Sequence, residues 1–203
     1  MKTRFLLPML ALGAITTSAN ALVSLEFRPL NQSVFVGDTV SIGLYATAPT
    51  PESFVAVDTI LIWTNSIMNP VGSNQFGGAY NAWTSAGFLN NEMNQSLSDG
   101  DAFWTGLGPL FGTPPEGTPG GSLLTTFTFT ALTPGTATLA MPASFNWPGR
   151  PQPFESKVYG PQNQDITGTL AATATVTVNA VPEPASMAVL GLGALALLRR
   201  RRR

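Results

Sequence analysis

From Gly121 to Leu132 the chain reads Gly-Ser-Leu-Leu-Thr-Thr-Phe-Thr-Phe-Thr-Ala-Leu, setting Leu124, Thr126, Thr128 and Thr130 against Leu123, Thr125, Phe127 and Phe129. A period of two sends successive side chains to opposite faces of an extended strand and gives a helix no apolar stripe. The same texture recurs. Between Val34 and Thr47, the residues Val40, Ile42 and Leu44 alternate with Thr39, Ser41 and Gly43, after a turn at Gly37-Asp38. Ser53 to Thr64 places Val55, Val57, Thr59, Leu61 and Trp63 on one side. Gly135 to Met141 follows a Thr-Pro-Gly turn, which predicts a hairpin with the strand before it, and Ile166 to Val178 closes the body. Threonine and valine with Pro/Gly punctuation favour strands over helices, and about eight strands in roughly 160 residues predict an antiparallel β-sandwich. Two stretches, 65–99 and 142–165, do not alternate; stretches this long either serve function or hide short strands.

The two ends have a different texture. Lys2 and Arg4 precede an apolar run from Phe5 to Ile15, and Ala19-Asn20-Ala21 supplies the small residues a signal peptidase cuts after. Residues 1–21 therefore read as a helical signal peptide and Leu22 as the mature start. At the other end, Val181-Pro182-Glu183-Pro184 leads into an uncharged apolar segment, expected as a short transmembrane helix over 185–198. Arg199, Arg200, Arg201, Arg202 and Arg203 follow it. Fifteen residues, Pro184 to Leu198, make a helix of roughly 22 Å, short of the ~30 Å hydrocarbon core. Such a helix serves better as a temporary stop than as a lasting anchor, with the arginines holding the terminus in the cytoplasm.

Val-Pro-Glu-Pro, an apolar helix and a terminal arginine block resemble the PEP-CTERM sorting signal of Gram-negative bacteria. The resemblance covers residues 181–203 and implies an exosortase as processing partner. That enzyme, a membrane-embedded cysteine transpeptidase, would cleave near Pro182-Glu183-Pro184 and pass the body on to the cell surface. An uncleaved single-span anchor is the competing reading. No Leu-Pro-x-Thr-Gly sortase signal is present, and GPI-anchor signals do not end in an arginine block.

Between these ends lies one domain, 22–180. Arg28, Arg150 and Lys157 are its three basic residues against ten acidic ones, a net charge of about −7 that the whole-chain value of −1 conceals. Such a body repels nucleic acid and anionic lipid. With no cysteine, the fold relies on its core without disulfides. With no histidine either, Cys/His zinc sites, Ser-His-Asp and Cys-His nucleophiles and histidine bases are excluded. No cofactor is implied.

The segments Val34 to Ala46, Val55 to Gly72 and Gly121 to Met141 also resemble the cohesin-type, jelly-roll β-sandwich, close in shape to some carbohydrate-binding modules. That resemblance implies the fold and points to no binding residue.

Remaining candidates compete with plainer roles. Asp99-Gly100-Asp101 suits a calcium loop in residue type but lacks its full spacing and closing glutamate; a turn before a strand is the alternative. Glu92, Asp99, Asp101 and Glu116 are loop carboxylates that a glycosidase would need as a pair about 5–9 Å apart, and nothing selects one pair. Tyr80, Trp83, Phe88 and Trp147 could stack on sugar rings, or fold back as core. Trp63 and Trp104 lie in strands and are expected in the core. Thr113 to Gly121 reads as an exposed turn cluster.

The sequence thus describes an exported, non-catalytic surface or matrix protein, crossing the inner membrane transiently. It would be associated with exopolysaccharide, with another surface protein, or with a biofilm or floc matrix. A self-associating structural protein and a secreted glycan-acting hydrolase are the alternatives.

Overall fold

Alternation becomes burial: Val40, Ile42, Leu44 and Ala46 are buried, while Thr39 and Ser41 between them face water. The computed structural model describes residues 22–74, 84–85, 100–108, 113–146, 151–171, 173–182 and 192. The chain begins with β1 (Val23–Arg28), β2 (Asn31–Phe35), β3 (Thr39–Thr47), β4 (Glu52–Ser53) and β5 (Ala56–Trp63). Then come β6 (Met68–Asn74), β7 (Thr84–Ser85), β8 (Asp101–Leu107), β9 (Glu116–Gly117) and β10 (Ser122–Ala131). It closes with β11 (Gly135–Ala140), β12 (Ser144–Phe145), β13 (Phe154–Glu155), β14 (Lys157–Tyr159), β15 (Thr167–Ala171) and β16 (Thr173–Asn179).

One sheet runs β15-β1-β3-β10-β6; the other runs β2-β16-β11-β5-β8-β7, with β14 also paired to β5. Their inner faces meet in an all-β sandwich. Phe127 of β10 touches Phe27 edge-on at 6.3 Å between ring centroids and Trp104 of β8 at 6.0 Å. Phe129 and Trp63 make a second contact between the sheets at 5.8 Å. Trp63 and Trp104 are core residues, as the strands around them suggested.

Three features depart from the sequence reading. The strands around the Thr-Pro-Gly turn form no hairpin: β10 has β3 and β6 on its two edges, so β11 crosses to the other sheet and pairs with β16 and β5. The run Ile166 to Val178 is two strands, β15 and β16, one in each sheet. And the sandwich is not purely antiparallel: β1 pairs with β15, and β2 with β16, in parallel. Parallel neighbours need a long crossover, and here the whole domain between the terminal strands supplies it. The chain passes from β1 to β2 through a cis Arg28-Pro29 bond.

This arrangement puts the two ends of the body at opposite poles. Leu22 enters beside the start of β15, and Asn179 leaves beside Phe35 at the end of β2. At the exit pole Gly37 takes a positive φ of 90°, and the Asp38 carboxylate accepts the Phe35 amide at 2.8 Å, fixing the turn read from Gly37-Asp38. The stretch 142–165 does contain short strands, the β12–β13 pair and β14. The Thr113 to Gly121 cluster is only partly exposed, because Pro115 is buried and Glu116–Gly117 pairs with β4.

No helix among the described residues is long and apolar enough to cross a membrane. The expected helices at 1–21 and 185–198 lie outside those residues, apart from Leu192.

Candidate functional site

Strand β5 runs through the middle of the second sheet with Asp58, Ile60 and Ile62 on its outer face. Asp58 interrupts an apolar stretch, and its neighbours across the sheet are Thr105 on β8 and Lys157 on β14. The Thr105 hydroxyl donates to Oδ1 of Asp58 at 2.8 Å, and the Tyr159 hydroxyl donates to Oδ2 at 3.3 Å. Burial pushes the Asp58 carboxyl above the usual carboxylate range, only partly offset by these two donors and the charge of Lys157.

Around this carboxylate the charges are tied in pairs. Lys157 forms an ion pair with Glu155 and lies 4.0 Å from Asp165. Its pKa is raised, first by the hydrogen bond it donates to the Glu155 carboxylate. The Asp165 pKa is lowered, chiefly by the Thr167 hydroxyl at 2.6 Å, with the Thr167 amide at 2.9 Å adding to it. Tyr159 is pushed up by burial and by the Asp58 charge, so its phenol stays protonated near neutrality. Beside the charges sits an aromatic step. Phe103 of β8 and Phe154 of β13 stack tilted at 4.9 Å, and β13 lies across β5, leaving Ile60 fully buried on the outer side.

The patch is thus a fixed, half-buried polar and aromatic surface. Each of its acids is held by a donor or by Lys157. Among the described residues no group of three or more His, Cys, Asp or Glu side chains could hold a metal ion.

Replacing Asp58 by Asn tests its electrostatics. A carboxyl whose folded pKa is raised binds its proton more readily in the native state, so it contributes stability at low pH that is lost as pH rises through the folded pKa. Asp58→Asn should therefore gain stability relative to wild type near neutrality, and the difference should shrink below the ordinary carboxylate range. Urea denaturation across a pH series checks this; a constant difference would show that Asp58 carries no such penalty.

The acids named from sequence do not converge where they can be placed. Asp101 opens β8 opposite Ile62, whereas Glu116 pairs with Ser53, beyond the other end of β8. Six residues of strand at ~3.3 Å each separate those ends by roughly 20 Å, far beyond the reach of a carboxylate pair. Gly100, with φ of 94°, forms a turn at the head of β8, and its carbonyl accepts the Trp63 amide at 2.7 Å. Any Cβ there would lie 2.7 Å from the Trp63 carbonyl oxygen. Tyr80, Trp83, Phe88, Glu92, Asp99 and Trp147 lie outside the described residues, as do Ala19, Ala21, Glu183, Pro184 and Arg199 to Arg203. Val181 and Pro182 are exposed beyond the end of β16. The Asp58, Tyr159, Lys157 and Asp165 cluster escaped the sequence reading; its one signal was an acid inside an apolar strand.

Fold and tail together define an exported β-sandwich module with a C-terminal sorting signal. Residues 180–203 match the PEP-CTERM protein-sorting motif. No curated protein matches the chain. Among solved structures, a CaCohA2 complex is similar with a TM-score of 0.56 at 14% identity, covering 77% of this chain and 99% of that one; CaCohA2 comes from Clostridium acetobutylicum. A type I cohesin–dockerin complex from Clostridium thermocellum gives 0.53 at 9% identity, covering 78% and 99%. The third cohesin of ScaC from Acetivibrio cellulolyticus, in complex with a dockerin, gives 0.53 at 10%, covering 77% and 99%. At these identities the likeness is one of fold: the body is a cohesin-like β-sandwich.

Proposed function

We propose that this protein is an exosortase substrate whose sandwich works outside the inner membrane as a non-catalytic binding module. In this reading 1–21 is removed on export after Ala19-Asn20-Ala21, and 22–180 is the working domain. Residues 181–203 halt in the inner membrane until an exosortase cleaves near Val181 to Pro184. The freed domain then holds exopolysaccharide or another surface protein in the extracellular matrix, with the Asp58, Tyr159, Phe103 and Phe154 face as its contact surface. The observation that carries the reading is the sorting-motif match at 180–203 directly following a sandwich that ends at Asn179.

The test is the intact mass of the protein in inner-membrane, outer-surface and medium fractions of its native cells. The expected surface form begins at Leu22 and ends between Val181 and Pro184. Joint replacement Pro182→Ala, Glu183→Ala and Pro184→Ala should leave uncleaved chain in the inner membrane. Wild-type chain retaining Arg203 and found only in the inner membrane would make the tail an anchor and end the matrix reading.

A self-associating structural role has one observation in its favour. Among the described residues strand β2 has β16 as its single sheet partner, and Asn31 to Phe35 include no charge and no proline to blunt the other edge. Sedimentation that stays monomeric over a wide concentration range would rule that role out.

A further inference from the structure

The pole where the chain leaves the sandwich is built from three turns tied together by backbone hydrogen bonds. The Gly37 amide donates to Ala131 O at 2.8 Å, the Ala131 amide to Asp38 O at 2.9 Å, and the Leu132 amide to Ile67 O at 2.8 Å. Large apolar side chains stand out from this apex: Phe35 is 47% exposed, Leu132 43%, and Val181, just past β16, 56%. The two cations that the structure describes are committed elsewhere. Arg28 pairs with Glu26 and reaches Gly120 O, and Lys157 pairs with Glu155. The apex carboxylate, Asp38, is exposed and accepts the Phe35 amide.

The chain is held to its last strand residue. Val36 donates to Asn179 O at 3.0 Å, and the Asn179 side chain donates to Ser33 Oγ and Val34 O. From Asn179 to the start of the apolar tail at Pro184 is five residues, a reach of at most about 18 Å. The headgroup layer takes up about 5–7 Å of that. The tether therefore keeps the exit pole within about 11–13 Å of the headgroup layer while the tail is inserted, and the face it turns to the bilayer carries Phe35, Leu132 and Val181 beside the exposed Asp38.

We propose that the Phe35–Leu132–Val181 apex rests in the bilayer interface while the sorting tail is in place, an inference that rests on the membrane-inserted tail proposed above. Apolar side chains at an interface gain by leaving water without needing anionic lipid. The contact would hold Val181 to Pro184 at the membrane surface, within reach of a membrane-embedded processing enzyme. Cleavage removes the tether and leaves the apex too small a patch to hold the domain by itself, so release follows.

The absence of native cysteine makes the test direct. Full-length chains carrying Leu132→Cys, Phe35→Cys or, at the opposite pole, Gln162→Cys are labelled with an environment-sensitive fluorophore and reconstituted into phosphatidylcholine vesicles. Labels at Leu132 and at Phe35 should each shift to the blue and lose most of their emission to brominated-chain phosphatidylcholine, while the label at Gln162 stays in water. Chains that float with the vesicles but show water-like emission at both apex positions would overturn the apex contact alone. Burial of the apex labels only when an exosortase is co-reconstituted would overturn it in favour of a protein contact. Chains that fail to float would overturn the inserted tail, and this inference with it.

Discussion

Phe127→Ala should cost about 3–5 kcal/mol of unfolding free energy. Phe127 is fully buried and makes edge-on contacts with Phe27 in its own sheet and with Trp104 across the core. Truncation removes both contacts and opens a cavity between sheets whose strands are pinned by their ladders and close over it poorly. Aromatic pairs contribute about 0.5–1.5 kcal/mol each beyond the area they bury. Domains have only about 5–15 kcal/mol in hand, and this one has no cysteine with which to form a disulfide. Urea denaturation followed by tryptophan fluorescence should show a midpoint lowered accordingly. A loss under about 1 kcal/mol would mean that the sheets do not meet around this ring.

Ser156→Ala should cost about 1–3 kcal/mol for the loss of a single oxygen. One side of β5 is shared: β14 pairs with Ala56 to Asp58, and β11 with Ile62 and Trp63. The Ser156 hydroxyl fills the joint, accepting from the Ile60 amide at 3.0 Å and donating to Pro142 O at 2.7 Å. Ser156 is 3% exposed and Ile60 is fully buried, so water cannot readily replace the lost oxygen. Because the joint lies beneath the β12–β13 pair, hydrogen exchange at Ile60 should quicken more than at core amides such as Phe129. Unchanged exchange at Ile60 together with unchanged stability would show that the amide finds another acceptor.

What the sequence made legible, and what it hid, follow from one physical distinction. Period-two runs such as Thr39 to Ala46 and Thr125 to Ala131 reveal strands because one face of each must be apolar, whatever its neighbours. Nothing in those runs names a partner. The Thr-Pro-Gly turn is short enough for a hairpin, but β10 already has a neighbour on both edges, which only the assembled sheet shows. The segment Val23 to Phe35, which becomes β1 and β2, gave little sign of its role. Its parallel partners lie more than a hundred residues away, at Thr167 to Asn179. The outer patch was obscure for the same reason: Asp58, Thr105 and Tyr159 come from three strands and meet only through register. The sorting tail, by contrast, was readable as a motif, because its parts stand in order along the linear sequence.

The parallel terminal ladders also set the order of events during export. Strand β2 has no sheet partner until β16 arrives, and β1 gains its outer neighbour only with β15. The chain is threaded amino end first, so the strands that close both sheets are the last part of the body to emerge. Pairing of Val23 with Thr167 closes a loop of nearly the whole domain, a slow step for any chain. Until then the translocating polypeptide is an open sandwich that has not sealed itself. The apolar segment follows the last closing strand residue by only five residues, so under the processing proposed above its halt in the membrane would come when folding can first be completed. In that reading the tail would act as a timer as well as a label, giving the domain its time to close before release.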